Sequence, residues 1–158
     1  MRTNQHLSRM CLILFFALST LTLSAQQVRT ITLFVNTSEV SKDNTAVSCN
    51  FGQPEGVTNE DYTIDVRVGD IIVWKGVSTS DPENDIVDIK AINHEGGVNV
   101  FDRNVLRGNG QSPETVSATI VQGAPGNEEK YKLSFKVYNN GKKRNGTFHI
   151  DPKIRIQR

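Results

Sequence analysis

Residues 129–138 read "EKYKLSFKVY", and within them Tyr131, Leu133, Phe135 and Val137 alternate strictly with Lys130, Lys132, Ser134 and Lys136. Period-two alternation puts one set of side chains on each face of an extended strand, so one face is buried and the other wet. A helix cannot satisfy that pattern, and a strand cannot stand without partners. The chain supplies them. "DYTIDVRV" repeats the alternation with Tyr62, Ile64, Val66 and Val68 inward, and "TVSATIV" (Val116, Ala118, Ile120) and "KIRIQ" (Ile154, Ile156) do so over shorter lengths. "VRTITLFV" and "DIVDIKAI" are mixed in pattern but rich in β-branched residues, and "GVNVF" and "GTFHI" are short candidates.

Turn chemistry separates these runs: "GQPEG", "DPEND", "HEGG", "RGNG", "GAPGN" and "NNG" all carry Gly, Pro, Asn or Asp where the chain must reverse. No stretch beyond the leader sustains a helical apolar period for more than about two turns. The expected architecture is therefore all-β, one domain over residues 26–158 forming a single antiparallel β-sandwich of about eight strands. "VGDIIVWKGVS" holds the only tryptophan, Trp74, in a run that is apolar on both faces. That marks a central strand, with Trp74 packed against the facing sheet near some of Ile64, Val66, Leu133 and Phe135.

The first residues, "MRTNQHLSRMCLILFFALSTLTLSAQQ", begin with Arg2 and Arg9, continue through an apolar run from Met10 to Leu18, and reach the small pair Ser24 and Ala25. This is the three-part pattern of a secretory signal peptide over residues 1–25, with cleavage after Ala25. The apolar run is too short and too rich in serine and threonine to span a bilayer. Export to the periplasm or the cell exterior follows, with no transmembrane segment after cleavage. Cys11 opens the apolar run instead of following a small-residue site, which argues against a lipid anchor. Losing Arg2 and Arg9 changes the formal net charge from +1 to about −1, so nucleic acid and anionic membrane lose their usual electrostatic signal. Cys49 then stands alone and cannot form an intramolecular disulfide. It shares the parity of Val47 in "AVSCNF" and is expected as a buried or half-buried thiol.

"VRVGDIIVWKGVS" is similar to the strand that opens many cupredoxin domains, and "GNGQSPETVSATI", "GAPGNEEKYKLSFKV" and "NGTFHIDPKIRI" resemble their later turns and strands. The resemblance implies a cupredoxin-like Greek key, with an immunoglobulin-like order as the alternative. In that family two histidines, a cysteine and a methionine hold type 1 copper. Here the cluster position reads "FKVYNNGKKRNGTF" and the stretch after Trp74 reads "KGVSTSDPENDIVDIKA", with none of those residues. Blue-copper electron transfer therefore carries over to no residue.

Cys49, His94 and His149 are the types that bind copper or zinc, but separations of this size match no local ligand motif. His94 is read in a turn, "INHEGG", and His149 on the wet face of a strand beside Thr147 and Asp151. Asp81, Glu83, Asp85 and Asp88 could suggest calcium; without a calcium-loop pattern they read as a solvated turn. Lys142, Lys143 and Arg144 lie between two Asn/Gly turn signals, at a hairpin tip where three cations could meet a polyanion such as an acidic polysaccharide. No G-x-S-x-G or H-E-x-x-H pattern occurs, and neither catalytic residues nor a cofactor are expected. The leading reading is an exported, non-redox binding or interaction module for an extracellular or periplasmic ligand. A copper- or zinc-binding protein and a carbohydrate-active enzyme are the alternatives.

Overall fold

The computed structural model describes residues 26–158. The leader, its cleavage point and Cys11 lie outside the described residues. Eleven strands and one short helix follow in order: β1 (Val28–Val35), α1 (Thr45–Ser48), β2 (Cys49–Asn50), β3 (Thr63–Val66), β4 (Ile71–Ser78), β5 (Ile86–Gly97), β6 (Val105–Arg107), β7 (Val116–Thr119), β8 (Glu128–Asn139), β9 (Lys142–Lys143), β10 (Phe148–Ile150) and β11 (Lys153–Ile156). They form a four-stranded sheet in the order β2-β1-β4-β7 and a seven-stranded sheet built on the path β3-β11-β8-β5-β6. The chain is all-β, and the buried faces of both sheets contribute to one apolar cluster.

The sheets are mixed, which corrects the antiparallel expectation. β1 runs parallel to β4 from Val28 opposite Ile71 to Val35 opposite Ser78, and β11 runs parallel to β3. Alternation reports which face of a strand is buried and says nothing of its neighbour's direction. Parallel neighbours need a long connection. The excursion through α1, β2 and β3 provides one between β1 and β4.

The strand read first in the sequence, β8, is the spine of the larger sheet. β5 lies along one side of it, and β11, β10 and β9 follow one another along the other. The ladder breaks between β10 and β11 at Asp151-Pro152, because proline has no N–H to donate. Pro152 still contributes its carbonyl, which accepts from the Tyr131 N–H at 3.1 Å. Tyr131, Leu133, Phe135 and Val137 are wholly buried, as the alternation requires.

Trp74 is also wholly buried. Its ring meets Phe101 and Tyr131 edge-on, with centroids 5.5 and 5.8 Å away, and its indole N–H donates to the Tyr131 hydroxyl at 3.1 Å. Two residues further on, Gly76 marks where the two sheets close on each other. A Cβ there would lie 2.3 Å from Val87 Cγ1 and 2.6 Å from the Val87 carbonyl oxygen. Only a residue without a side chain admits β5 so near β4.

Four local expectations need correcting. Val68 is half-exposed because β3 ends at Val66 and the chain turns there. "GVNVF" is a loop after β5, although Val100 and Phe101 still insert into the core. Val47 belongs to α1 and is exposed, so the strand that buries Cys49 starts at Cys49 itself. His94 lies within β5, next to a bulge between His94 and Gly96, not in a turn.

Candidate functional site

The three residues whose types suggested a metal site each have a separate environment. Cys49 is buried in β2, and burial pushes its thiol up to about 12, so it stays protonated across the physiological range. His94 places Nδ1 3.1 Å from Oε1 of Glu129, a carboxylate only 1% exposed whose other oxygen accepts the Val100 N–H at 2.8 Å. Burial pushes the Glu129 carboxyl up, while Val100 and His94 pull it back in part. That carboxylate ties the loop after β5 to β8. His149 is exposed on β10 with Nδ1 3.0 Å from Ser134 Oγ. Among the described residues no three His, Cys, Asp or Glu side chains gather as metal ligands.

The cationic hairpin forms as its turn chemistry predicts. Asn140 and Gly141 both take positive φ, 51° and 71°, the arrangement of a two-residue turn whose twist suits a hairpin. Lys142 and Lys143 are exposed on β9. Arg144 instead folds back: its Nε donates to the Thr37 carbonyl at 2.9 Å, and its Nη2 donates to that of Ser38. Two of the three expected cations face solvent, and the third latches the hairpin to the segment after β1.

The acidic turn is likewise more than solvated. Asp85 is buried and accepts from the Thr37 hydroxyl, from Asn139 Nδ2 at 2.7 Å and from the Asn140 N–H at 2.8 Å. Those donors, Thr37 foremost, hold its carboxyl below the usual range. Asp88 is buried too and accepts the Glu114 N–H at 2.8 Å. Both act as anchors for backbone brought from far along the chain.

The Arg144 latch shapes a groove. It lays the loop before β10 against the segment leading to α1, so that Lys42 crosses over Gly146, where a Cβ would come 2.7 Å from Lys42 Cε. Between this crossing and α1 the groove along β10 consists of two small pockets with shared lining residues. One, of about 210 Å³, is lined by Lys42, Thr45, Thr147, Phe148 and His149. The other, of about 100 Å³, is lined by Thr45, Ala46, Asn59, Glu60, His149, Ile150 and Asp151. Thr45 and His149 belong to both.

Asp151 stands out at the far end. Its Oδ1 is buried without a hydrogen-bond partner. The ladder break that follows it, at Pro152, leaves it facing the same side as His149. The Lys132 ammonium is paired with Glu95 at 2.6 Å, which holds its charge in place, and Asp151 adds a smaller attraction. Sequence reasoning passed over Lys42, Glu60 and Asp151. The parity shared by His149 and Asp151 was the one available signal, and it gave a face without showing what α1 would lay across it.

No family model matches the chain, and no curated protein matches it. Among solved structures, the chain is similar to the crystal structure of an inclusion body protein, PixA, from Burkholderia cenocepacia J2315. The TM-score is 0.61 at 16% sequence identity, over 85% of this chain and 98% of that one. At that identity the likeness is one of fold, shared across nearly the whole of the PixA chain.

Proposed function

We propose that this chain is an exported, non-redox binding module on a cupredoxin-like frame, and that the groove along β10 holds its extracellular or periplasmic ligand. One observation carries the reading: the groove on β10 is lined by polar and charged side chains, Lys42, Thr45, Asn59, Glu60, His149 and Asp151. Export rests on the leader pattern in residues 1–25. Among the described residues no helix is long and apolar enough to cross a membrane.

Binding is favoured over turnover by what surrounds the groove. Ser134, the hydroxyl paired with His149, is buried beneath that imidazole and closed to a substrate. The Cys49 thiol is buried and protonated, a poor nucleophile and a poor metal ligand. The test is amide and imidazole NMR of the chain from Gln26 onward, titrated with amino acids, polyamines, monosaccharides and calcium. Shifts concentrated at residues 147–151 and lost in Asp151→Ala support the reading. Silence in the groove toward every class refutes it.

A further inference from the structure

We infer that the outer edge of β7 is a docking site for an extended, acidic segment of another protein, which adds to the four-stranded sheet as a further strand beside Ser117 and Thr119. None of its residues lines the groove along β10. Four strands end the two sheets, β2 and β7 in one, β3 and β6 in the other. Sheet edges are commonly blunted by charge or by brevity. Here β3 carries Asp65, β6 carries Arg107, and β2 is two residues long. β7 is a four-residue edge with neither a charge nor a proline.

The hydrogen bonds on either side of this strand show which of its groups are open. Ile120 faces inward: its N–H donates to the Asp70 carbonyl and its carbonyl accepts from the Gly69 N–H, both at 2.8 Å. Val116 and Ala118 share that parity and lie opposite Trp74 and Ile72 of β4. The N–H and C=O groups of Ser117 and Thr119 therefore point away from the sheet. The same outward row is occupied at both ends. The Asn109 N–H donates to the Thr115 carbonyl at 3.0 Å, and the Val121 N–H donates to the Val100 carbonyl at 2.9 Å. Between those ends, among the described residues, four backbone groups lie open on two exposed residues. A pocket of about 290 Å³ adjoins them, lined also by Phe101, Arg103, Leu106 and Val121. Among the described residues of this lining the one charged side chain is Arg103, which is exposed, and none is a carboxylate. An incoming strand pairs its backbone with Ser117 and Thr119, covers the exposed Val121 with an apolar side chain and offers a carboxylate to Arg103. A second copy of this chain suits the edge less well. Pairing β7 with its twin brings together two pockets that each hold an arginine and no carboxylate.

The test uses the pentapeptide Ac-Val-Glu-Val-Glu-Val-NH2, its counterpart with lysine for glutamate, and two forms of the first that are N-methylated on the valines or on the glutamates. Amide NMR of the chain from Gln26 onward gives both site and affinity. The acidic peptide is expected to shift the Arg103, Ser117 and Thr119 amides and to slow hydrogen exchange at Ser117 and Thr119. The lysine peptide should bind about tenfold more weakly, and Arg103→Glu, a change at an exposed side chain, should reverse that preference. A strand pairs with its neighbour through one of its two edges. One N-methylated form should therefore lose about tenfold in affinity while the other keeps it. Equal effects of the two methylations overturn the inference, as does a preference unchanged in Arg103→Glu. So do shifts confined to Val105 and Arg107 of β6 or to residues 147–151, a dimer that already protects Ser117 and Thr119 before peptide is added, and silence toward every peptide.

Discussion

Asp70 shows how one side chain can fix the start of a sheet. Buried in the turn before β4, it accepts from Arg29 Nε at 2.8 Å, from the Arg67 N–H at 3.0 Å and from the Gln27 N–H at 3.2 Å, so the turn and the first residues of β1 share one carboxylate. Burial opposes its ionisation, but Arg29 and the two backbone donors outweigh burial and hold the carboxyl below its usual range. A depressed carboxyl stabilises the fold above its unfolded value of about 3.9 and loses that contribution as pH falls through the folded value. Asp70→Asn should therefore cost about 1–3 kcal/mol at neutral pH, with the gap to wild type narrowing as acid is added. Urea melts at pH 7 and pH 3 check it. Trp74 is the second residue on which much depends. Trp74→Ala removes the largest wholly buried side chain and takes the indole donor from the Tyr131 hydroxyl. A loss of about 3–5 kcal/mol is expected in urea denaturation, with the groove along β10 unaffected in any sample that remains folded.

At the scale of elements, the strands with clean alternation were legible and their surroundings were not. β8, β7 and β11 fall where the pattern puts them, since burying one face and wetting the other is a local demand that a sequence must meet residue by residue. The burial of Asp85 and Asp88 and the surroundings of Asp151 were illegible because the groups involved come from elsewhere: Thr37 and Asn139 around Asp85, the loop before β7 at Asp88, α1 and Glu60 beside Asp151. A string of carboxylates looks the same whether water or backbone N–H groups will solvate it. Gly76 was similarly mute, a glycine inside a strand that could have marked a bulge and instead marks contact between sheets. Gly76→Ala should destabilise by about 1–3 kcal/mol through overpacking against Val87, and Val87→Ala in the same chain should recover part of that loss. Thermal melts of the two single variants and the double variant measure the coupling.

Over the whole molecule, the two sheets are assembled from strands far apart in sequence: β1 with β4, β3 with β11, β5 with β8. Each pairing closes a long loop before it gains any contact, so folding should be slow, in the range of milliseconds to seconds. Stopped-flow fluorescence of Trp74 reports it directly, because the indole moves from water to a fully buried site. The parallel match of β1 with β4 also has a mechanical side. Tension applied at the N-terminal end of β1 runs along the strand, while the hydrogen bonds from Val28 to Val35 lie across it. They share the load and must yield together, in shear, instead of opening one at a time like a zipper. The Arg29 and Gln27 links to Asp70 sit where the pull enters. β1 is thus also a clamp, and a chain drawn from its N-terminal end should resist force until the whole β1–β4 ladder fails at once.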